Sequence, residues 1–203
     1  WIKQTNCLDF APGRTYRSRA QICMTLKTPT DEVVDAFLID PNEALDVFLA
    51  SHQAYGLRYA VQEVPIVGAR AAGVKSMNLK ENDFVVNGLV VYSEGDSPIV
   101  IISQRGAVKR MLAQEIPQMG RAKRGQMILR QLKSNPHRIF FMGLGENQTY
   151  LVQNQKGEEK TLHTNDFPIA DRTSNGSFIL DEKSGGEISE VRYMDSFSQL
   201  END

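Results

Sequence analysis

One stretch of the sequence, residues 104–125, reads QRGAVKRMLAQEIPQMGRAKRG. It contains a glycine at Gly106, an apolar segment, a proline at Pro117 and, eight residues after the proline, a further glycine, Gly125. Glycine permits a hairpin turn with positive φ, whereas proline ends strand pairing and fixes a loop. The stretch therefore predicts a turn, a short strand and a loop that leads into another strand.

The same pattern occurs three times along the chain. The prolines are spaced by 52 and 51 residues, and a glycine follows each of them after eight residues, giving the pairs Pro65 and Gly73, Pro117 and Gly125, Pro168 and Gly176. An earlier glycine precedes each proline, at Gly56, Gly106 and Gly157, and we expect these three to occupy equivalent turns. Self-similarity at a period of about 50 residues indicates a repeat architecture.

A fourth, incomplete repeat precedes the other three. Its first residues align with those that follow Gly106, so that Lys3 matches Lys109. The chain begins without methionine and inside a repeat, from which we expect a fragment of a longer polypeptide. The predicted organisation is a single domain fragment, 1–203, with a partial blade at 1–44, blades at 45–97, 98–145 and 146–195, and an acidic tail at 196–203.

Each repeat contains four short segments of strand-like composition, such as PIVIISQ, AVKRML, QMILRQL and RIFFMGL in the repeat at 98–145. The segment at 41–51, PNEALDVFLAS, could form a helix, but its position in the repeat favours a strand over Leu45–Ser51. Four short strands per repeat are typical of propeller-like blades. The predicted fold class is all-β, an array of four-stranded antiparallel blades.

Composition and motifs argue against catalysis within this chain. We find no nucleophile elbow, zinc-binding helix motif or P-loop, and the two cysteines, Cys7 and Cys23, are too few for a disulfide framework. No apolar run approaches the roughly 18–20 residues that span a bilayer. We therefore expect no catalytic residue, metal or cofactor in this domain, no membrane association, and a reducing cytoplasmic location.

Positive charge is concentrated in one part of a chain whose net charge is −2. Residues 101–140 carry nine basic side chains and one acidic side chain, whereas residues 141–203 carry five and twelve. Repeats arranged around a circle would place equivalent basic residues on one rim, and cations without interleaved aromatics suit the phosphates of a duplex. The candidate DNA-binding residues are Arg14, Arg17, Arg58, Arg70, Lys75, Arg105, Lys109, Arg110, Arg121, Lys123 and Arg124. A protein-interaction propeller that uses the acidic third repeat is the alternative.

The repeats resemble those of the C-terminal domain of bacterial type IIA topoisomerase A subunits, in particular the topoisomerase IV branch of Gram-positive bacteria. The resemblance is carried by VGARAAGVKSMNLKENDFVV, ISQRGAVKRM, GRAKRGQMILRQLKSNPHRI and RTSNGSFILDE, and it covers essentially the whole chain. The glycine- and arginine-rich box that marks the gyrase branch is not found, which favours topoisomerase IV over the equivalent wrapping domain of gyrase.

This resemblance implies a β-pinwheel, in which propeller-like blades exchange strands, and a basic perimeter that bends DNA. It implies a non-catalytic domain that binds double-stranded DNA without sequence preference and guides segment capture for ATP-dependent strand passage, decatenation and supercoil relaxation. The implied partners are the rest of the same polypeptide, where the catalytic tyrosine lies, and the separate ATPase subunit. ATP and Mg²⁺ are implied to act elsewhere in that enzyme.

Overall fold

The architecture is almost entirely β in a computed structural model that describes residues 1–11 and 20–194. The strands, in chain order, are β1 Leu45–Ser51, β2 Tyr55–Ala60, β3 Val85–Tyr92, β4 Pro98–Ser103, β5 Ala107–Leu112, β6 Gln126–Met127, β7 Ile139–Leu144, β8 Thr149–Asn154, β9 Glu159–His163, β10 Ser177–Phe178 and β11 Ile188–Tyr193. The helical elements of the described residues are α1 Glu182–Gly185 and the 3-10 turns Cys7–Phe10, Val61–Glu63, Ala113–Glu115 and Thr164–Asp166. The all-β prediction is confirmed. No helix in this part of the chain is long and apolar enough to cross a membrane.

The strands form three antiparallel sheets that exchange strands along the chain. The orders are β3-β1-β2-β6, β10-β5-β4-β7 and β11-β8-β9. In the first sheet, β6 comes from the following repeat and pairs with the start of β2; in the second sheet, β10 pairs in the same way with β5. Each of these blades is therefore completed by a two-residue strand from its neighbour, which is the pinwheel arrangement that the resemblance implied.

The segment Leu45–Ser51 is a strand, as predicted; it lies between β3 and β2, and all seven of its residues are buried. Alternate residues of a strand point to opposite faces, so such a strand is covered on both sides. The second blade shows the same use of both faces. Ile99 and Ile101 of β4 join the cluster that contains Phe48 of the first sheet, whereas Val100 and Ile102 join the cluster that contains Val152 of the third. The blades thus pack face to face through these two clusters.

The hairpin turns correct one alignment made from sequence. The residues at equivalent turns are Ala54, Gly106 and Gly157, with φ of 68°, 84° and 82°. Gly56 is not at a turn: it lies in β2, where a Cβ would come 2.9 Å from Cγ2 of Ile128. Pro65 follows Gly56 by nine positions, whereas Pro117 and Pro168 follow Gly106 and Gly157 by eleven. The residue of the first repeat that is equivalent to Gly106 and Gly157 is therefore two positions before Gly56, at Ala54.

The glycines that follow each repeat proline by eight residues lie where the exchanged segment approaches its acceptor strand. Gly73, Gly125 and Gly176 have φ of 79°, 86° and 75°. A Cβ at these positions would lie 2.2, 2.1 and 2.0 Å from the backbone oxygens of Ile2, Gly56 and Val108, respectively. Any side chain would collide with the acceptor strand, so glycine is required by the close approach as well as by the backbone conformation.

Candidate nucleic-acid interface

Four of the predicted basic residues are brought together where the first two complete repeats meet. Nη1 of Arg121 donates a hydrogen bond of 2.5 Å to the backbone oxygen of Lys75. The amide of Ala122 donates to the backbone oxygen of Ser76 at 3.0 Å, and the amide of Asn78 donates to the backbone oxygen of Lys123 at 2.9 Å. The loops that carry these cations therefore lie side by side. We call Lys75, Arg121, Lys123 and Arg124 the basic junction.

The members of the basic junction differ in how free their charged groups are. Lys75 and Lys123 are exposed, and Nζ of Lys75 donates to Oδ1 of Asn78 at 2.8 Å. Arg124 is half-buried, with its guanidinium 3.9 Å from the ring centroid of Tyr55. Arg70, in the same loop as Lys75, is exposed. Lys75, Lys123 and Arg70 can therefore reach a phosphate directly, while Arg124 is held in place by a cation–π contact.

Arg121 also ties consecutive repeats together. Its amide donates to Oε2 of Glu63 at 2.7 Å, and its Nε donates to the backbone oxygen of Glu63 at 3.1 Å. Arg172, 51 residues later, repeats the arrangement: its amide donates to Oε2 of Glu115 at 2.6 Å and its Nη1 to the oxygen of Met127 at 2.6 Å. Arg172 was not predicted from sequence, although both arginines stand four residues after the repeat proline.

The assignment of Lys109 to the surface is wrong. Its side chain is 2% exposed, and Nζ donates to the backbone oxygens of Ile128, Arg172, Ser174 and Asp171 at 2.5, 2.5, 3.1 and 3.2 Å. Burial lowers the pKa of this ammonium group to about 8. Lys3, its predicted counterpart, likewise donates to the oxygens of Ala69 and Gly68, at 2.5 and 3.1 Å. The lysines at this position of the repeat, Lys3 and Lys109, therefore bind the backbone of the loop in the next repeat.

The other cations on or beside the second strand of each blade are also engaged within the protein. Nε of Arg58, which is 8% exposed, lies 3.4 Å from Oδ2 of the fully buried Asp46. Arg110 is half-buried and donates to the oxygen of Phe167 at 3.3 Å, and Nε of Arg105 lies 2.6 Å from Oε2 of Glu182. The next repeat also runs directly beside two of these residues, through isolated bridges between Arg58 and Gln118 and between Arg110 and Ile169. These contacts correct the prediction that Arg58, Arg105 and Arg110 are free on a DNA-binding surface.

The remaining basic residues include two that were not singled out from sequence. Arg14 and Arg17, which were predicted, lie outside the described residues. Arg130 and Lys133, which were not, are exposed. The amide of Arg130 donates to Oδ1 of Asn175 at 2.7 Å, so its backbone is fixed while its side chain is exposed. Membership of the basic stretch 101–140 was the signal that could have identified both.

The described residues hold no group of three or more histidine, cysteine or carboxylate side chains arranged for a metal ion. The chemistry that the exposed surface offers is that of fixed ammonium and guanidinium groups, supported by backbone hydrogen bonds. Such groups bind phosphate oxygens, and contacts to phosphates position a duplex without reading its sequence.

Comparison with protein families gives a match over two repeats. A family described as "DNA gyrase C-terminal domain, beta-propeller" matches residues 45–91 and 97–144. The first range contains β1, β2 and β3 up to residue 91, and the second contains β4 to β7.

Curated relatives match nearly the whole chain. The A subunit of DNA topoisomerase 4 from Bacillus subtilis is 45% identical over 94% of this chain and 23% of the relative, and that from Streptococcus pneumoniae is 40% identical over 92% and 24%. The chain therefore spans about a quarter of the length of these relatives.

Solved structures share the fold. A crystal structure of the C-terminal domain of DNA topoisomerase IV superposes with a TM-score of 0.85 at 39% identity, over 98% of this chain and 62% of that one. A DNA gyrase A C-terminal domain superposes with a TM-score of 0.60 at 15% identity, over 77% and 51%, which shows the fold alone.

Proposed function

Because the chain belongs to the family of C-terminal domains of the DNA topoisomerase IV A protein, we propose that it is a non-catalytic domain that binds and bends double-stranded DNA. In the parent enzyme it guides the capture of DNA segments for ATP-dependent strand passage, decatenation and supercoil relaxation. The catalytic tyrosine, ATP and Mg²⁺ act outside this domain, which works with the rest of its own polypeptide and with the separate ATPase subunit. The site of action is the nucleoid in the cytoplasm.

The observation that carries this proposal is the basic junction. Lys75, Lys123 and Arg124 belong to two different repeats, yet backbone hydrogen bonds hold their loops side by side. Like charges held close together repel one another, and a polyanion removes that repulsion. A phosphate backbone supplies regularly spaced anions, so it compensates several of these cations at once and releases condensed counterions.

The exposed cations extend from the junction along consecutive repeats. Arg70 and Lys75 lie in the loop of the first complete repeat, Lys123 in the loop of the second, and Arg130 and Lys133 further along the second. A duplex that follows contacts arranged around blades has to bend. Bending a site of 20–30 base pairs by 40–90° costs on the order of 1–6 kcal/mol, which contacts along the rim offset.

The test is duplex binding at several salt concentrations. The 203-residue chain is titrated into a fluorescently labelled random-sequence duplex, and binding is followed by anisotropy. If roughly six to ten phosphates are neutralised, affinity falls by about 10³- to 10⁵-fold between 50 and 200 mM salt. A second duplex of unrelated sequence should bind equally well.

A flat salt response would instead support the protein-interaction alternative. That alternative has its own observation, since Glu158, Asp166 and Glu187 of the third repeat are exposed. In that case a DNA-bending assay, by energy transfer between the ends of the duplex, would also show no change on addition of the protein.

A further inference from the structure

The aromatic ring of Tyr55 lies beside the basic junction. Tyr55 is the first residue of β2 and is half-buried, and its ring centroid is 3.9 Å from the guanidinium carbon of Arg124. The other two cation–π contacts of the described residues are longer, at 4.7 and 5.6 Å. At 3.9 Å the planar guanidinium group is in van der Waals contact with the ring, so the ring restricts where that group can lie.

Strand exchange places these two residues against each other. Tyr55 is the register partner of Met127, in the strand β6 that the second repeat adds to the first sheet. Arg124 precedes β6 by two positions. The next residue, Gly125, approaches the backbone of Gly56 so closely that an added Cβ would lie 2.1 Å from the oxygen of Gly56. The ring therefore belongs to one repeat and the guanidinium group to the next, and the paired backbones hold both in place.

The fold does not require this pair. At the second junction, β10 pairs with β5 with Phe178 opposite Ala107, so Ala107 occupies the position equivalent to Tyr55. Asn175 follows Arg124 by 51 residues and, like it, directly precedes the glycine of its segment. Strand exchange at the second junction thus forms without an aromatic ring and without a cation at these two positions. The pair of Tyr55 and Arg124 is a feature of the basic junction rather than of the repeat.

The charge of Arg124 is left without a counter-ion by residues 1–11 and 20–194. The four ion pairs in this part of the chain engage Arg58, Arg105 and Arg192 instead. Nε of Arg124 is buried and has no hydrogen-bond partner. The face of an aromatic ring attracts a cation without neutralising its charge. The guanidinium group is therefore held in place and still able to bind an anion.

We propose that Tyr55 is a positioning residue for DNA binding, because its ring holds the guanidinium group of Arg124 in the conformation that receives a phosphate of the duplex. This role depends on the DNA binding proposed above, to which an uncharged residue then contributes. A mobile arginine side chain loses rotamer freedom when it binds, and this loss weakens binding. Since the ring orders Arg124 before DNA arrives, the loss is taken on folding, and Nη1 and Nη2 remain for the phosphate.

The test measures duplex affinity and its salt dependence for variants of the 203-residue chain, by anisotropy with a labelled random-sequence duplex. Tyr55→Leu should lower the affinity about two- to tenfold, the effect of having to order one arginine side chain on binding. The slope of log K against log salt should not change, because Arg124 is still present and still neutralises a phosphate. Tyr55→Phe, which keeps the ring, should bind within about twofold of the unmodified chain.

A double-variant cycle separates positioning from a structural effect, since Tyr55 also packs against the buried cluster that contains Leu57. Arg124→Ala should lower the salt slope by about 0.9. Adding Tyr55→Leu to Arg124→Ala should weaken binding no further, because no guanidinium group is left to position. Tyr92→Leu, which replaces an exposed tyrosine of the same sheet, is the matched control and should leave the affinity unchanged. Circular dichroism checks folding, and Tyr55→Ile takes the place of Tyr55→Leu if the latter is unfolded.

Three results would overturn the role of Tyr55 in a chain that binds duplex with a steep salt response. Tyr55→Leu could bind as tightly as the unmodified chain, or it could weaken binding equally with and without Arg124, which would be a structural effect. Tyr55→Phe could lose as much affinity as Tyr55→Leu, and the hydroxyl group rather than the ring would then matter. An unmodified chain that does not bind duplex would overturn the proposed function and this role together.

Discussion

Nζ of Lys109 donates a hydrogen bond of 2.5 Å to the backbone oxygen of Arg172, so two cationic residues from consecutive repeats are in direct contact. The contact is favourable because the acceptor is a carbonyl group, and three further carbonyls surround the ammonium group. A lysine that looked like part of a DNA-binding surface is thus a joint between blades. We expect buried cations that join two repeats to affect stability, and exposed cations to affect DNA binding.

Replacing Lys109 with methionine should destabilise the fold by about 2–4 kcal/mol, because buried carbonyls that lose their donor carry a desolvation penalty. Urea unfolding followed by circular dichroism measures the loss. At temperatures where the variant is folded, its salt slope for duplex binding should equal that of the unmodified chain. A lower slope at unchanged stability would contradict the buried role.

The same lysine should give the protein a characteristic response to alkaline pH. Burial lowers the pKa of Lys109 from its ordinary value of 10.5 to about 8. Between these values the unfolded chain binds a proton that the folded chain releases, so this group makes the folded state more stable as the pH rises. The stability difference between the unmodified chain and Lys109→Met should therefore widen from pH 8 to pH 10.5. A difference that stays constant or narrows over this range would count against the lowered pKa.

The free cations of the basic junction should matter for DNA and little for folding. Changing Lys75 and Lys123 together to alanine should lower the slope of log K against log salt by about 1.8, or about 0.9 for each phosphate that is no longer neutralised. The melting temperature should barely change, because exposed charges contribute little to stability. The matched control is the double change at Lys156 and Lys183, two exposed lysines of the acidic repeat. Equal weakening of binding in both double variants would show that the DNA contacts are not centred on the junction.

Strand exchange itself can be tested at Gly125, one of the glycines that follow the repeat prolines by eight residues. Gly125→Val places a side chain against the backbone of Gly56 and demands a β-branched residue at φ of 86°. We expect a destabilisation of at least about 3 kcal/mol, as strain and the collision with the acceptor strand add. Gly68→Val is the control, since nothing lies within 4 Å of its added Cβ. If both variants unfold at the same urea concentration, the close approach of β6 to β2 is not needed for stability.

The repeat register, the strand composition and the glycine column after the proline were predictable from sequence, because spacing records them directly. The turn at Ala54 was not, since alanine gives no sign of a positive φ and the nearby Gly56 offered a false match. The burial of Lys109 was not predictable either. Lysine is rarely buried, and the carbonyls that bury it belong to residues 19 to 65 positions away in the chain.

Arg121 is the residue at which sequence and structure diverge most for function. Its sequence context groups it with Lys123 and Arg124 as a DNA contact whose removal would leave folding nearly intact. Its amide and its Nη1 bond Glu63 and Lys75 as those of Arg172 bond Glu115 and Met127, and its Nε also donates to the backbone oxygen of Glu63. Arg121→Ala keeps the amide bond to Glu63 and removes the bonds from Nε and Nη1, so it should lower the free energy of unfolding by about 1–3 kcal/mol.

Three single variants, compared side by side, decide between the two roles. Arg172→Ala removes the corresponding Nη1 bond, to the oxygen of Met127, so it should also destabilise the fold. Lys123→Ala should leave stability unchanged and reduce the salt slope by about 0.9. Urea unfolding and anisotropy on the same preparations give both quantities. If Arg121→Ala lowers the free energy of unfolding as Arg172→Ala does, Arg121 joins the two repeats. If it leaves that free energy unchanged and lowers the salt slope as Lys123→Ala does, Arg121 is a phosphate contact.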